Sequence, residues 1–395
     1  MTSKISSSTS SSAPRAAAPA AQFVIGIDIG GTKVKAGAVD VHASFSPAVS
    51  AQLFGARQMP TPRLSPPAFY DAIARLIDEI RRDATQQRVL LLPIVSVAHP
   101  GRFLPDGRLA RSTTPNLGVR PNEFDSIHPA EELRRRVGGI VHAENDAMAQ
   151  MRFGLDCLLR DSAVRTRLLG ETVVYLGPGT GMGGGVAQVD QNGRVRVVTD
   201  GHLFDLEVHG YGNGTLTAEE LFTGPAITKV VAQANRSLRV PIEPPRAGSL
   251  SLLMEDPKAS QEHLAAAQRV VQQEAEILSA LVETIRSGVI VKARLEARSD
   301  GTVARHRDEP DRAWPLEDQQ LVRGARRFIL GGFVGTNPVF GTAVRHGALD
   351  LLRSRGQEEV ELIQIPVDSA DAGIWGIVQA ITPEMIERAN TLRDA

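Results

Sequence analysis

Residues 23–41 read FVIGIDIGGTKVKAGAVDV. Val24, Ile25, Ile27 and Ile29 form a strand-like run, Gly30-Gly31 interrupts it, and Val34, Ala36, Ala38 and Val41 begin a second run. Two apolar runs around a glycine pair predict a β-hairpin. Such a turn lets the backbone approach a polyanion and aims amide N–H groups at phosphate oxygens. Thr32 and Lys33 would add a hydroxyl and a positive charge, and Asp28, at the end of the first strand, could hold Mg²⁺ through water. An ordinary hairpin turn uses the same residues, so this stretch needs a second observation.

That observation comes roughly 145 residues later, where residues 172–189 read TVVYLGPGTGMGGGVAQV. Thr172 to Leu176 reads as a strand, Gly177 to Gly185 as a glycine-rich turn, and Val186 to Val189 as a returning strand. Gly179, Gly181 and Gly184 match the spacing G-x-G-x-x-G, but a dinucleotide-binding turn must lead into a helix. Here Val186 to Val189 and the turn Asn192-Gly193 predict strand and hairpin instead. Neither glycine cluster has the G-x-x-x-x-G-K-[ST] spacing of a Walker A loop. A strand, glycine turn and strand occurring twice, each opening a mixed stretch, predict a duplicated, two-lobed α/β protein. Gly179, Thr180 and Gly181 would then face the first loop across an interdomain cleft.

Between the two hairpins, Ser65-Pro66-Pro67 predicts a helix start, with Phe69, Ile73, Leu76, Ile77 and Ile80 at helical spacing. Val89 to Val97 predicts a buried strand closed by His99-Pro100-Gly101. After a short strand at Val141 to Ala143 comes Glu144-Asn145-Asp146, with Asn145 at a helix N-cap. A carboxylate in the first helical turn is held ionised by the helix dipole. That suits Asp146 to accept a hydroxyl proton during phosphoryl transfer, where one positioned Asp is the usual arrangement. It also suits Asp146 to plain capping. Further on, Leu264, Val271, Leu278, Leu281, Val282 and Ile285 share a helical face, whereas Glu296 to Pro315 carries both charges without period and predicts a surface insertion. Phe328 to Leu330 predicts a strand ending at Gly331-Gly332, and Pro383 opens a last helix with Thr382 as cap.

The 395 residues exceed what one core sustains, which again predicts two domains. The net charge of −1 gives no reason to expect a nucleic-acid partner or an acidic membrane, and no run approaches the ~18 apolar residues of a span. Cys157 is the only cysteine and lies among leucines, which predicts a buried thiol and excludes an intramolecular disulfide and any multi-cysteine metal site. Residues 1–22, rich in Ser and Ala, lack the apolar core of an export signal and the patterning of a helix-turn-helix, so they predict a disordered tail on a cytoplasmic protein, while Lys4 and Arg15 with no acidic residue leave an organellar transit peptide open. A homodimer is admitted by the sequence and not dictated by it.

Taken together these motifs resemble the ROK family of sugar kinases and repressors, within the hexokinase/actin-like ATPase superfold, whose two lobes are duplicated ribonuclease H-like domains. Asp28 to Lys33 is similar to its first phosphate loop, Pro115-Asn116-Leu117 to a sugar-contacting segment, and Glu144-Asn145-Asp146-Ala147 to its catalytic block. Gly179-Thr180-Gly181 with Gly183-Gly184-Gly185 resembles the second phosphate loop, Gly331-Gly332 the adenosine-side glycines, and Asp371-Ala372-Gly373 with Trp375-Gly376 the C-terminal signature. The resemblance runs from about Phe23 to Ala380, with the motifs in the family's order. It implies ATP and Mg²⁺ on one side of the cleft and a hexose-type sugar on the other. Asp146 would be the base, and Gly101, Asn116 and Asn145 sugar contacts. It also implies an N-terminal lobe over 23–141, completed by the helix from 383 to 395, and a C-terminal lobe over 142–382 carrying the charged insertion 296–316.

The departures concern the sugar side. The family's Gly-Glu-x-Gly-His stands here as Val198-Thr199-Asp200-Gly201-His202, keeping the His and replacing the Glu by Thr199. His202 stays a sugar-contact candidate and Arg102 a weaker one, while His209 reads as a surface histidine. Anchoring on Thr223-Gly224-Pro225 puts Gly210, Gly212 and Thr217 where the family's zinc-loop cysteines stand, and Glu219 on that loop's sugar-contacting glutamate. Zinc takes about four N or S ligands, which His202 and His209 cannot supply, so no zinc site is expected.

Overall fold

A computed structural model describes residues 21–43, 53–114, 117–120, 122–198, 203, 205–212, 215–297, 303–307, 314–366 and 371–394. The start of the tail, Asn116, and the run containing Thr199 and His202 lie outside these residues, as does part of the 296–316 insertion.

Twelve strands are described: β1 Phe23–Ile29, β2 Lys33–Asp40, β3 Phe54–Pro60, β4 Leu91–His99, β5 Ile140–Asn145, β6 Thr172–Pro178, β7 Met182–Val189, β8 Val195–Val197, β9 Ala293–Ala297, β10 Val303–Arg307, β11 Arg327–Leu330 and β12 Glu361–Gln364. The first sheet runs β3-β2-β1-β4-β5 and the second β8-β7-β6-β11-β12. In each, a three-stranded antiparallel meander continues through two parallel strands. The same strand order and direction, twice, is the duplication that the paired glycine motifs predict.

Both glycine motifs are hairpin turns. In the first, Ile29 pairs with Val34 and Asp28 with Lys35. In the second, Pro178 pairs with Met182, so strand and not helix follows the G-x-G-x-x-G spacing. The turn is shorter than its glycine content suggests, because Gly183, Gly184 and Gly185 belong to β7. The reason is packing. A Cβ on Gly183 would stand 2.6 Å from the Cβ of Ala147, and one on Gly184 2.2 Å from Leu203. These glycines let the strand lie flush against its neighbours.

The helix Asp146–Leu159 is sandwiched between the two sheets. Ala149, Phe153 and Cys157 pack with Val24, Ile94 and Ala98 of the first sheet and with Trp375 and Ala389 of the last two helices. On its other side Met151, Leu155 and Leu158 pack with Val173, Tyr175, Ala187 and Ile329 of the second sheet. Its residues thus alternate between two cores, and its N-terminus opens where both glycine turns converge. Cys157 is buried, which pushes its thiol up to about 11, as suits a packing residue. The outer face of the first sheet carries the helix Pro66–Gln87, with Phe69, Ile73, Ile77 and Ile80 buried as their spacing predicts. The outer face of the second sheet carries Gln261–Ser287, which buries Leu278, Leu281, Val282 and Ile285. Helices Ala372–Val378 and Pro383–Asp394 pack back on β1 and β4, and the Met385 amide donates to Thr382 Oγ1 at 3.4 Å.

The charged stretch after Glu296, expected as an aperiodic insertion, instead contributes β10 and the end of β9, an antiparallel hairpin with Arg305 opposite Leu295. Its Arg305 and Arg307 form ion pairs with Glu207 and Glu220, far away in sequence. Among the described residues no helix is long and apolar enough to cross a membrane.

Candidate active site

A cavity of about 300 Å³ opens between the sheets where the two glycine turns meet the start of the Asp146 helix. The sequence-predicted residues Asp28, Gly30, Gly31, Thr32, Lys33, Gly101, Asn145, Asp146, Gly179, Thr180, Gly181 and Glu219 all line it. Gly331 and Gly332 are not on its wall. They stand behind the second turn, where the Gly331 amide donates to Leu176 O at 2.8 Å, and a Cβ on Gly332 (φ +55°) would meet Pro178 O at 1.9 Å.

Each turn is fastened from outside. Thr61, just beyond β3, donates its hydroxyl to Gly30 O at 2.6 Å and its amide to Thr32 O at 3.1 Å. On the opposite wall Gly179 N–H donates to Gly181 O, and Gly224 N–H, at the start of the helix Gly224–Asn235, donates to Gly179 O, both at 2.8 Å. Both fastened turns line the cavity.

Asn145 is the helix cap its position predicts. Its Oδ1 accepts from Ala147 N–H at 2.9 Å, and its Nδ2 donates to Gly101 O at 3.0 Å, which ties the Pro100-Gly101 turn to the helix. Glu144 turns away from the cavity into a two-pronged pairing with Arg152, at 2.9 and 3.3 Å. Asp146 lines the cavity at the helix start, its Oδ1 accepting from Ala147 N–H at 2.9 Å. The helix start does not hold it ionised as its position predicts: loss of hydration pushes its carboxyl up to about 7 and the Asp28 charge adds to that rise, outweighing the backbone N–H groups that lower it. Asp28 is itself pushed up to about 6, first by desolvation, with Lys35 opposing and Asp371 adding to the rise. A Cβ on Gly373 would stand 2.4 Å from Asp28 Cγ, so only glycine lets the Ala372–Val378 helix close over this carboxylate.

Sequence reasoning overlooked four participants. Lys35 is buried opposite Asp28 in the hairpin register and donates to Asp371 at 3.3 Å, whereas Lys33 is exposed. Counting back across the turn from Asp28 would have found it. Gln150 lines the cavity one helical turn after Asp146, the i,i+4 spacing that places it on the same face. Tyr175 donates to Gln150 Oε1 at 3.3 Å and fills the space beside Gly177 and Gly331. The Met182 amide donates to Glu219 Oε2 at 2.6 Å, a backbone group that no side-chain pattern announces.

Mg²⁺ keeps most of its waters and takes one or two carboxylates together with phosphate oxygens. Asp28 fits it, a buried carboxyl opening on the cavity beside the first glycine turn. Among the described residues no group of three or more His, Cys, Asp or Glu side chains is placed to hold a metal ion.

Two like-ordered sheets with a cleft between their hairpin turns define an actin-like ATPase fold. The sequence model of the ROK family matches residues 24–291, and the chain belongs to that family. No curated protein sequence matches it. Among solved structures it is similar to the ROK hexokinase from Thermus thermophilus, at 21% identity over 94% of this chain and 100% of that one, TM-score 0.53. The glucokinase from Balamuthia mandrillaris in complex with glucose is 15% identical over 92% and 94%, TM-score 0.54. A ROK family transcriptional regulator, homolog of the E. coli MLC protein, is 12% identical over 94% and 80%, TM-score 0.58.

Proposed function

We propose that this chain is an ATP-dependent sugar kinase, transferring the γ-phosphate of MgATP to a hydroxyl of a hexose or hexose derivative. The observation that carries the reading is the position of Asp146, a carboxyl raised to about 7 at a helix start, on a cavity walled by two fastened glycine turns. A base of that strength takes a proton near neutral pH, and the turns offer amides to a phosphate chain.

The sugar lies on the Gly101 and Asn145 side, within reach of Glu219, with Asn116 and His202 as further contacts. Its hydroxyl oxygen attacks the γ-phosphorus, the bond to the ADP oxygen breaks, and Asp146 accepts the hydroxyl proton. Thr32 and Lys33 from one turn and Gly179 to Gly181 from the other position the phosphates. Mg²⁺, held by Asp28 through water, supplies charge neutralisation when bound. Gly331 and Gly332 place the adenosine behind the second turn. Approach of the two sheets would exclude water and limit ATP hydrolysis. Thr199 offers a short neutral hydroxyl where a glutamate would bind two sugar hydroxyls, which favours a sugar altered at that position over plain glucose.

A second reading, a sugar-binding regulator without catalysis, has the likeness to the transcriptional regulator in its favour. ADP formation across a panel of sugars separates the two. The kinase reading expects ADP only when a sugar is present, and sugar binding without ADP would establish the regulator.

A further inference from the structure

Glu219 belongs to the four-residue helix Ala218–Leu221, too short to hold a side chain in place by itself. Its support comes from the hairpin β9–β10. Arg305 lies between two carboxylates, with Nη2 donating to Glu220 at 3.0 and 3.3 Å and Nη1 donating to Glu207 Oε1 at 3.3 Å. Arg307 Nε donates to the same Glu207 oxygen at 2.9 Å. Glu220 also closes the capping box, accepting from the Thr217 amide and hydroxyl at 2.8 and 3.0 Å. Backbone pairing completes the frame: Ala293 N–H donates to Asp205 O, Glu207 N–H to Val291 O and Ala218 N–H to Leu206 O. From the same hairpin Arg294 Nη1 donates to Ser112 Oγ at 3.2 Å, beside Thr113 on the facing wall of the cavity.

We propose that Arg305 is a positioning residue for Glu219, and that the hairpin β9–β10 is a strut fixing the distance between Glu219 and the Ser112–Thr113 wall. Glu219 holds the Met182 amide at the second turn, so displacing Glu220 through Arg305 displaces that contact too. Guanidinium suits the task because one planar group spans both carboxylates, which a lysine cannot do. The inference rests on the kinase reading only for its kinetic readout, since the positioning itself shows in the backbone.

The test compares the full chain with Arg305→Met, Arg305→Lys and Glu219→Ala by amide hydrogen exchange. Arg305→Met and Glu219→Ala should both speed exchange at the Met182 amide on the order of tenfold, with Arg305→Lys between them and wild type. The helix Gln261–Ser287 and the first hairpin should exchange as in wild type, which separates repositioning from unfolding. On a sugar that the wild type phosphorylates, Arg305→Met should raise the sugar KM about tenfold and leave the ATP KM within about twofold. Wild-type exchange at Met182 in Arg305→Met overturns the proposal. If Arg305→Met is globally unprotected, Arg305→Lys decides by the same criterion. Absence of any sugar-dependent ADP from wild type contradicts the kinase reading alone, and the exchange result stands on its own.

Discussion

Gly183 of β7 lies directly against Ala147, the residue after Asp146, so close that a Cβ would come within 2.6 Å of the alanine Cβ. The strand that leaves the second glycine turn therefore packs directly on the start of the Asp146 helix. Whatever moves the strand moves the carboxylate.

Gly183→Ala should displace the start of the helix without emptying or overfilling either core. Turnover should fall on the order of 10²-fold, because sub-ångström placement of a reacting group carries much of its catalytic effect. The sugar KM should change far less. Steady-state kinetics on the purified variant check this, and unchanged turnover would show that the contact does not position Asp146.

The raised Asp146 carboxyl fixes the sign of the pH dependence. Below about 7 the group is protonated and cannot take the hydroxyl proton, and above it the carboxylate is free to do so. The sugar kcat/KM should rise about tenfold per pH unit up to a midpoint near 7 and then level off. A profile already flat at pH 5 would mean that Asp146 titrates as an ordinary carboxylate.

Glu274 offers a separate test of burial. It lies in the helix Gln261–Ser287, fully buried, and neither carboxyl oxygen has a hydrogen-bond partner among the described residues. Desolvation pushes it up to about 8, so the folded protein keeps a proton that the unfolded chain sheds above about 4.5. The stability contributed by that proton is complete below about pH 4.5 and is lost as pH rises towards 8, at up to about 1.4 kcal/mol per pH unit. Glu274→Leu removes the titration and the unpaired oxygens. Its Tm should exceed that of wild type, with a larger margin at pH 8 than at pH 5. An equal margin at both values would mean that Glu274 is neutralised by another route.

The parts of the site that local sequence could carry were legible. Asp28 with Gly30-Gly31 and Asn145-Asp146 follow from strand, turn and cap chemistry within a few residues, and the repeated hairpin announced the duplicated sheets. Tertiary packing hid the rest. Gly183, Gly184 and Gly185 read as turn residues because nothing nearby shows that a helix and Leu203 press on them. The β9–β10 hairpin read as a charged insertion because the partner of Arg307 is Glu207, 100 residues away. Lys35 was eclipsed by Lys33, though the hairpin register alone singles it out.

The most direct measurement is ADP formation by wild type and Asp146→Asn with a sugar that the wild type phosphorylates, alongside calorimetric binding of that sugar to both. Asparagine keeps the size and polarity of the side chain and removes the proton acceptor. Turnover should fall about 10²-fold or more while the sugar Kd changes only a few-fold. Near-wild-type turnover in Asp146→Asn would make Asp146 a capping residue and contradict the mechanism.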